Sequence, residues 1–161
     1  MGGLIVRPSV RSDRPALRAA VIELQEHERR IHDTRLPGEA IADAYLAWMA
    51  RKTRAGGAVF VAEADGAFVG FAAGWVEEGA SPAETPDSSR CGFISDVCVL
   101  PAFRRRGVAQ RLLEKLEAHL ALGGVARVRL HVLAGNREAL AAYERAGYAP
   151  YEVVYEKRLR R

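Results

Sequence analysis

The 161-residue sequence is poor in the features that define several protein classes. It has two cysteines, and its four histidines show no zinc-ligand spacing, so we predict no metal site. No run approaches the roughly 18 apolar residues of a membrane span. Residues 1–6 lack the charged and apolar regions of a signal peptide. These absences predict a cytoplasmic protein that does not bind a membrane.

The two cysteines, Cys91 and Cys98, are predicted to stay reduced. They stand seven residues apart on one predicted strand. Their side chains are therefore expected on opposite faces and about 23 Å apart, at roughly 3.3 Å per residue. A disulfide cannot close across such a separation. This agrees with a reducing compartment.

Excess positive charge is also scarce. The formal net charge of +4 arises from 24 Lys and Arg against 20 Asp and Glu, and 21 of the basic residues are arginines. This excess is too small and too dispersed for a nucleic-acid-binding arm, and no aromatic-interleaved basic surface accompanies it. The length, with 49% hydrophobic and 27% charged residues, predicts one globular domain over residues 1–161.

Hydrophobic periodicity and turn signals predict six strands and four helices. The predicted strands cover residues 4–10, 58–64, 67–77, 91–100, 126–133 and 151–159. The predicted helices run from 12 or 13 to about 32, from 37 to about 56, from the turn near 107 to 122, and from 136 to about 146. The dipeptide at 65–66, Asp-Gly, predicts a hairpin turn. The segment 79–90, rich in Ser and Pro, predicts a mobile loop or a short linker inside the domain.

The turn at residues 104–109, Arg-Arg-Arg-Gly-Val-Ala, is the strongest functional signal. It joins a predicted strand to a predicted helix, where several backbone N–H groups lack partners and the helix dipole adds positive charge. Glycine lets an anion approach the backbone, and arginine adds forked donors. The spacing matches neither G-x-x-x-x-G-K-[ST] nor G-x-G-x-x-G. We predict a pyrophosphate-binding turn formed by Arg104, Arg105, Arg106, Gly107, Val108, Ala109 and Gln110.

Four motifs in order resemble the GCN5-related N-acetyltransferase family. Its fingerprint, a strand followed by [Q/R]-x-x-G-x-[G/A] and a helix, is matched by Arg104, Gly107 and Ala109. A second strand, Asn136, Tyr143 seven residues later and a Gly-aromatic pair at 147–148 follow. These motifs cover residues 91–149, and the earlier element order is compatible with the same family.

The resemblance implies a fold and an activity. The fold is α/β (α+β), with a mixed, mostly antiparallel central sheet of six to seven strands flanked by about four helices. The activity is transfer of an acetyl group from acetyl-CoA to an amine, a small molecule or a peptide N-terminus, by direct attack in a ternary complex. The backbone of Val97, Cys98 and Val99 is expected to pair with the pantetheine arm and to donate to the carbonyl oxygen. A homodimer stays open, as does a non-catalytic acyl-CoA-binding regulatory protein of the same fold.

The catalytic residues follow from what acyl transfer to an amine requires. Tyr143 is predicted as the general acid, and Asn136 as both a helix N-cap and a cofactor contact. In related enzymes that acetylate N-termini of ribosomal proteins, a Glu five residues before the Asn takes the proton, and His131 stands there in this sequence. Asp96, an acid inside an apolar strand, is the rival base. Both bases stay open, Ser95 and Glu26 are weaker candidates, and a base acting through a water chain would fit any of the four.

The amine acceptor is not identified by the sequence. Acidic residues are frequent in the two segments expected to shape its pocket, and they include Glu26, Glu28, Glu77, Glu78, Glu84 and Asp87. Such carboxylates favour a cationic amine, but charged loops are more often solvated surface. Both interpretations remain open.

Overall fold

The computed structural model describes residues 3–79 and 81–159, which form five strands and five α-helices. The strands are β1 (Leu4–Pro8), β2 (Ala58–Ala64), β3 (Ala67–Glu78), β4 (Arg90–Val99) and β5 (Val128–Leu130). The helices are α1 (Arg14–Ile31), α2 (Gly38–Thr53), α3 (Pro86–Ser89), α4 (Val108–Leu122) and α5 (Arg137–Arg145). Residues 1, 2, 80, 160 and 161 lie outside the described residues. They include part of the 1–6 segment, one position of the predicted 79–90 loop, and both ends of the predicted domain.

The strands form one mixed sheet in the order β1-β2-β3-β4-β5. Neighbours are antiparallel except β4 and β5, which are parallel and joined through α4. The predicted hairpin joins β2 to β3, and its two turn residues, Asp65 and Gly66, have φ of 50° and 78°. Positive φ at both positions is the twist that a two-residue hairpin needs, and Asp and Gly tolerate it best.

The prediction of six to seven strands and about four helices was wrong in both numbers, because the described residues form five strands and five α-helices. The extra helix is α3, four residues long, inside the predicted 79–90 loop. The predicted strand 126–133 shortens to Val128–Leu130. The predicted strand 151–159 does not form in the described part of the chain. A strand needs a hydrogen-bonding neighbour, and β5 pairs over only three residues with β4, so it offers a short edge.

Two apolar clusters cover the two faces of the sheet. On one face α1 and α2 pack against β2, β3 and β4, and the largest contributors are Leu17, Val21, Leu46, Met49, Val61 and Phe71. On the other face α4 packs against the sheet through Leu112, Leu113, Leu116 and Leu120. Each of these leucines is at most 2% exposed, and burying one contributes about 1.5–3 kcal/mol. The predicted helix from the turn near 107 to 122 is thus confirmed.

A β-bulge at Ser95 changes which face the residues of β4 address. Cys91 pairs with Glu77 and Cys98 with Phe71, and the register shifts by one residue between these pairs. Side chains alternate along a regular strand, so residues seven apart would lie on opposite faces. The extra residue adds one position between Cys91 and Cys98 and puts both side chains on the same face. Both cysteines therefore face α1 and α2, and the expectation of opposite faces was wrong. Both thiols are free.

The described residues contain neither a membrane-spanning helix nor a cluster of metal ligands. No helix within 3–79 and 81–159 has the length and apolar composition that a bilayer span requires. Over the same ranges, no three His, Cys, Asp or Glu side chains gather as a metal site would need.

Candidate active site

The turn between β4 and α4 presents an unusual number of free backbone donors. A short 3-10 turn, Pro101–Phe103, leaves β4, and α4 begins after Gly107. Arg105 and Gly107 have φ of 58° and 77°. Among the described residues, the backbone N–H groups from 105 to 110 donate to no protein atom. Consecutive N–H groups in mixed right- and left-handed conformations at a helix start form an anion-binding concavity.

This turn closes one end of a groove of about 660 Å³ between β4, α4 and α5. The groove brings together eleven of the residues predicted from sequence: Val97, Cys98, Val99, Arg104, Arg105, Gly107, Val108, Ala109, Gln110, Asn136 and Tyr143. Arg106, Asp96 and His131 are not among its lining residues. Leu24, His27, Glu138 and Arg145 also line it. The sequence gives no signal for these four, because only the packing of α1 and α5 on the groove selects them.

The groove continues along the edge of β4, where β4 extends past the end of β5 and has no strand beside it. β5 pairs with β4 at Gly92, Phe93 and Ile94 and ends at Leu130. β4 continues to Val99, still paired on its other side with β3. From Ser95 onward the edge of β4 toward β5 therefore carries backbone groups without a strand partner. An extended, amide-bearing ligand can pair with such an edge.

The three arginines of the turn have different surroundings. Arg104 is tied into the protein, since its Nε donates to the Val99 carbonyl at 3.1 Å. Its guanidinium also lies within 4 Å of Glu23 and Glu138. Arg106 stacks over the Phe103 ring at 5.6 Å. No ion pair engages Arg105 or Arg106 in the described part of the chain. The structure thus leaves these two guanidinium groups free for a ligand and gives Arg104 a bracing position.

Helix α5 carries the two groove residues of the second predicted motif. Asn136 is its N-cap, with Oδ1 accepting a hydrogen bond from the Ala139 N–H at 3.2 Å. Tyr143 packs against the Tyr148 ring, with ring centroids 6.1 Å apart. Within the described residues its hydroxyl has no hydrogen-bond partner. Burial, reinforced by the negative charges of Asp96 and Glu28, raises the pKa of Tyr143 to about 12. The phenol therefore keeps its proton near neutrality.

Asp96 is buried beside the groove, on the face covered by α1 and α2. It is 6% exposed. The Tyr45 hydroxyl donates to Oδ1 at 2.8 Å and the Ser95 hydroxyl to Oδ2 at 2.5 Å. Burial raises the pKa of Asp96 to about 6, although both hydroxyls act in the opposite direction. Its carboxyl group can thus change protonation close to neutral pH. Sequence reasoning missed Tyr45 as the partner of Asp96.

His131, the other predicted base, lies just beyond β5. Its side chain is exposed and its ring contacts Phe93, with centroids 5.1 Å apart. The two proposed bases are therefore in different environments, one buried and hydroxyl-bonded, the other at the surface.

Comparison with known proteins agrees with this geometry. Residues 19–148 match the sequence profile of the Acetyltransferase (GNAT) family. The uncharacterized N-acetyltransferase YycN of Bacillus subtilis (strain 168) is 33% identical over 86 residues, 53% of this chain and 53% of that protein. A mycothiol acetyltransferase of Corynebacterium efficiens is 35% identical over 116 residues, 66% of this chain and 36% of that protein. The chain spans 21% to 53% of the lengths of the curated relatives it matches.

Similarity to solved structures extends over nearly the whole chain. The aminoglycoside N-acetyltransferase AAC(6')-Iy, solved in complex with CoA, superposes with a TM-score of 0.74. The alignment covers 99% of this chain and 97% of that one at 22% identity. At this identity the likeness establishes a shared fold.

Proposed function

The chain belongs to the acetyltransferase (GNAT) family, and from this premise we propose that it is an N-acetyltransferase that moves an acetyl group from acetyl-CoA to an amine. The observation that carries the proposal is the run of free N–H groups from 105 to 110, opening onto a groove beside an unpaired strand edge. This combination suits a long ligand with a pyrophosphate at one end and amides along its length.

The residues present fit acetyl-CoA in charge and shape. The N–H groups of the turn, with Arg105 and Arg106, would hold the pyrophosphate. The free edge of β4 at Val97, Cys98 and Val99 would pair with the pantetheine amides and supply an N–H to the carbonyl oxygen. When bound, acetyl-CoA supplies a thioester, and amine attack on its carbonyl carbon replaces the C–S bond by a C–N bond with release of a thiol.

Two side chains have the proton affinities that this exchange needs. A primary amine is mostly protonated at pH 7, because its pKa lies near roughly 10.4, so a base must take a proton from nitrogen. Asp96, with its pKa near 6, accepts that proton and passes it to solvent. Tyr143 donates its hydroxyl proton to the departing sulfur and recovers one from the product nitrogen. His131 is the alternative base, acting from the surface side.

The remaining predictions about the protein are carried forward as part of the proposal. The chain acts as one domain over residues 1–161 in the cytoplasm, and two copies can associate. The matched proteins are named for different molecules, an aminoglycoside and mycothiol, so their names do not select an acceptor for this chain.

The proposal is tested by titrating acetyl-CoA into the protein in a calorimeter and, separately, following free thiol with amines present. Gly107→Glu should abolish binding, because it places a carboxylate where the pyrophosphate would lie. Gly66→Glu is the matched control: both glycines have φ near 77° and open space where a Cβ would stand, but Gly66 lies in the β2–β3 hairpin and does not line the groove. Equal affinity in the two variants would refute the site. Binding without thiol release on any amine would favour the non-catalytic alternative.

A further inference from the structure

An uninterrupted row of aromatic rings crosses the sheet face that carries Asp96. It runs from Tyr45 to Trp48, Trp75, Phe93 and His131, with successive ring centroids 5.1, 5.2, 5.6 and 5.1 Å apart. The members come from α2, β3, β4 and the chain just after β5. Successive rings are inclined to one another by 40°, 88°, 56° and 70°, so each pair meets in a tilted or edge-to-face arrangement, which stabilises the row.

The bulge in β4 connects this row to the proposed base. Phe93 pairs with Trp75 and Asp96 with Ala73, and the extra residue, Ser95, lies between them. Without it, Phe93 and Asp96 would face opposite sides of the sheet. With it they share one face, and the hydroxyl of Tyr45 at the start of the row donates to Asp96.

The row is not closed off as core packing would be. Trp75 is 2% exposed, but the side chains of Tyr45, Trp48 and Phe93 are only partly buried, and His131 is exposed. Tyr45 and Trp48 pack against the apolar cluster under α1 and α2, and the part of their surface that stays exposed, with that of Phe93, is accessible to a ligand.

Charge along the row favours a cation. The carboxylate of Glu77 accepts a hydrogen bond from Trp75 Nε1 at 3.0 Å. Burial raises the pKa of both Tyr45 and Asp96, and the negative charge of Glu28, which pairs with Arg35 at 2.6 Å, adds a smaller effect in the same direction. The ammonium group of Lys52 already lies 5.6 Å from the centre of the Trp75 ring. A cationic head and an aromatic body are therefore both complementary to this surface.

Building on the proposed function, we propose that this aromatic row is the acceptor site and that the acceptor is a primary amine carried on an aromatic body. The amine lies at the Asp96 end, and the aromatic body lies along Trp48 and Phe93. The row begins at the hydroxyl that bonds the proposed base, so it orients the amine toward the unpaired edge of β4. Trp48 and Phe93 are then the residues that determine acceptor specificity.

The test compares three probe amines at saturating acetyl-CoA: 2-phenylethylamine, 2-cyclohexylethylamine and n-butylamine. The two six-carbon rings are similarly apolar, so their comparison isolates the aromatic face. We expect kcat/KM for 2-phenylethylamine to exceed that for 2-cyclohexylethylamine by about threefold to tenfold. It should exceed that for n-butylamine by about tenfold or more, since a larger apolar area is buried.

Two substitutions of Trp48 test whether its ring causes the preference for 2-phenylethylamine. Trp48→Leu should remove the preference for the aromatic ring, whereas Trp48→Phe should retain it, and neither should change the affinity for acetyl-CoA. Circular dichroism and acetyl-CoA titration show whether each variant is folded.

The outcomes separate the two proposals. If acetyl-CoA binds and n-butylamine or glucosamine is acetylated as well as 2-phenylethylamine, the aromatic acceptor is overturned and the acetyltransferase stands. A preference that survives unchanged in Trp48→Leu also overturns the assigned row. If acetyl-CoA does not bind, or if no amine in a broad panel releases thiol, the acetyltransferase proposal fails and the acceptor site fails with it.

Discussion

Replacing Asp96 by Asn should make the protein more stable at alkaline pH and less active. Burial raises the pKa of Asp96 from 3.8 to about 6 in the folded state. A folded pKa above the unfolded one means that the folded state binds more protons between these values. The stability contribution of this group is thus fully present below pH 3.8 and is lost as pH rises through 6. A difference of about two pH units corresponds to about 3 kcal/mol of unfolding free energy.

The measurement compares the free energy of unfolding of the variant and the wild type at two pH values. Effects of the substitution on shape and hydrogen bonding that are the same at both pH values cancel in this comparison. Urea unfolding of wild type and Asp96→Asn at pH 4 and at pH 8 gives the free energy of unfolding of each. We expect the advantage of the variant to be larger at pH 8 than at pH 4 by roughly 2–3 kcal/mol, the figure just derived from the pKa. Asp65→Asn, the same substitution at an exposed turn position, is the control variant.

Activity provides the second half of this prediction. If Asp96 is the base, kcat/KM of wild type should fall on the acidic side with a midpoint near pH 6. Asp96→Asn should lower kcat and remove that limb, and His131→Ala should leave it in place. A change of less than about 0.5 kcal/mol in the variant's advantage between pH 4 and pH 8 would refute the buried, ionising carboxyl group. Full activity in Asp96→Asn with loss of the limb in His131→Ala would transfer the role to the histidine.

Two further predictions concern α5. Tyr143→Phe should lower kcat at saturating acetyl-CoA by about 100-fold to 10,000-fold. The dissociation constant of acetyl-CoA should stay nearly unchanged, because the ring still packs on Tyr148. An unchanged kcat would reject Tyr143 as the general acid. Asn136→Ala should cost about 1 kcal/mol of stability, because the Ala139 N–H loses its acceptor, and calorimetry should find Tm lower by about 2–4 °C. Asn136→Asp, which retains an N-cap acceptor, should restore Tm; no change in Asn136→Ala would show that the cap contributes nothing.

Local patterns in the sequence were sufficient for much of the fold and for the strand, turn and helix start that we propose as the anion-binding turn. The leucines of α4 repeat at helical spacing and the 65–66 turn needs positive φ, so each prediction depended on near neighbours only. The turn at 104–109 is equally local, since a strand, a glycine and a helix start follow one another. Features of this kind do not require knowledge of which elements pack together.

The features that sequence reasoning missed all depend on distant parts of the chain. Tyr45 is 51 residues from Asp96, and nothing in the spacing of α2 marks it as the hydroxyl that bonds a carboxylate. The bulge at Ser95 is defined by pairing with β3, so alternation along β4 alone assigned the wrong face to one cysteine. The segment 151–159 has the β-branched and aromatic composition of a strand, but pairing also needs a neighbouring edge.

The order of strands in the sheet has a consequence for how the groove comes into being. β2, β3 and β4 form a meander of chain neighbours, and each can pair as soon as it is synthesised. β5 follows the crossover through α4 and pairs with β4 over three residues only, the shortest pairing among the described strands. Few backbone hydrogen bonds hold this edge, so we expect it to open more readily than the meander. A ligand that bridges β4 and α5 would then hold this edge in place as well as bind to it.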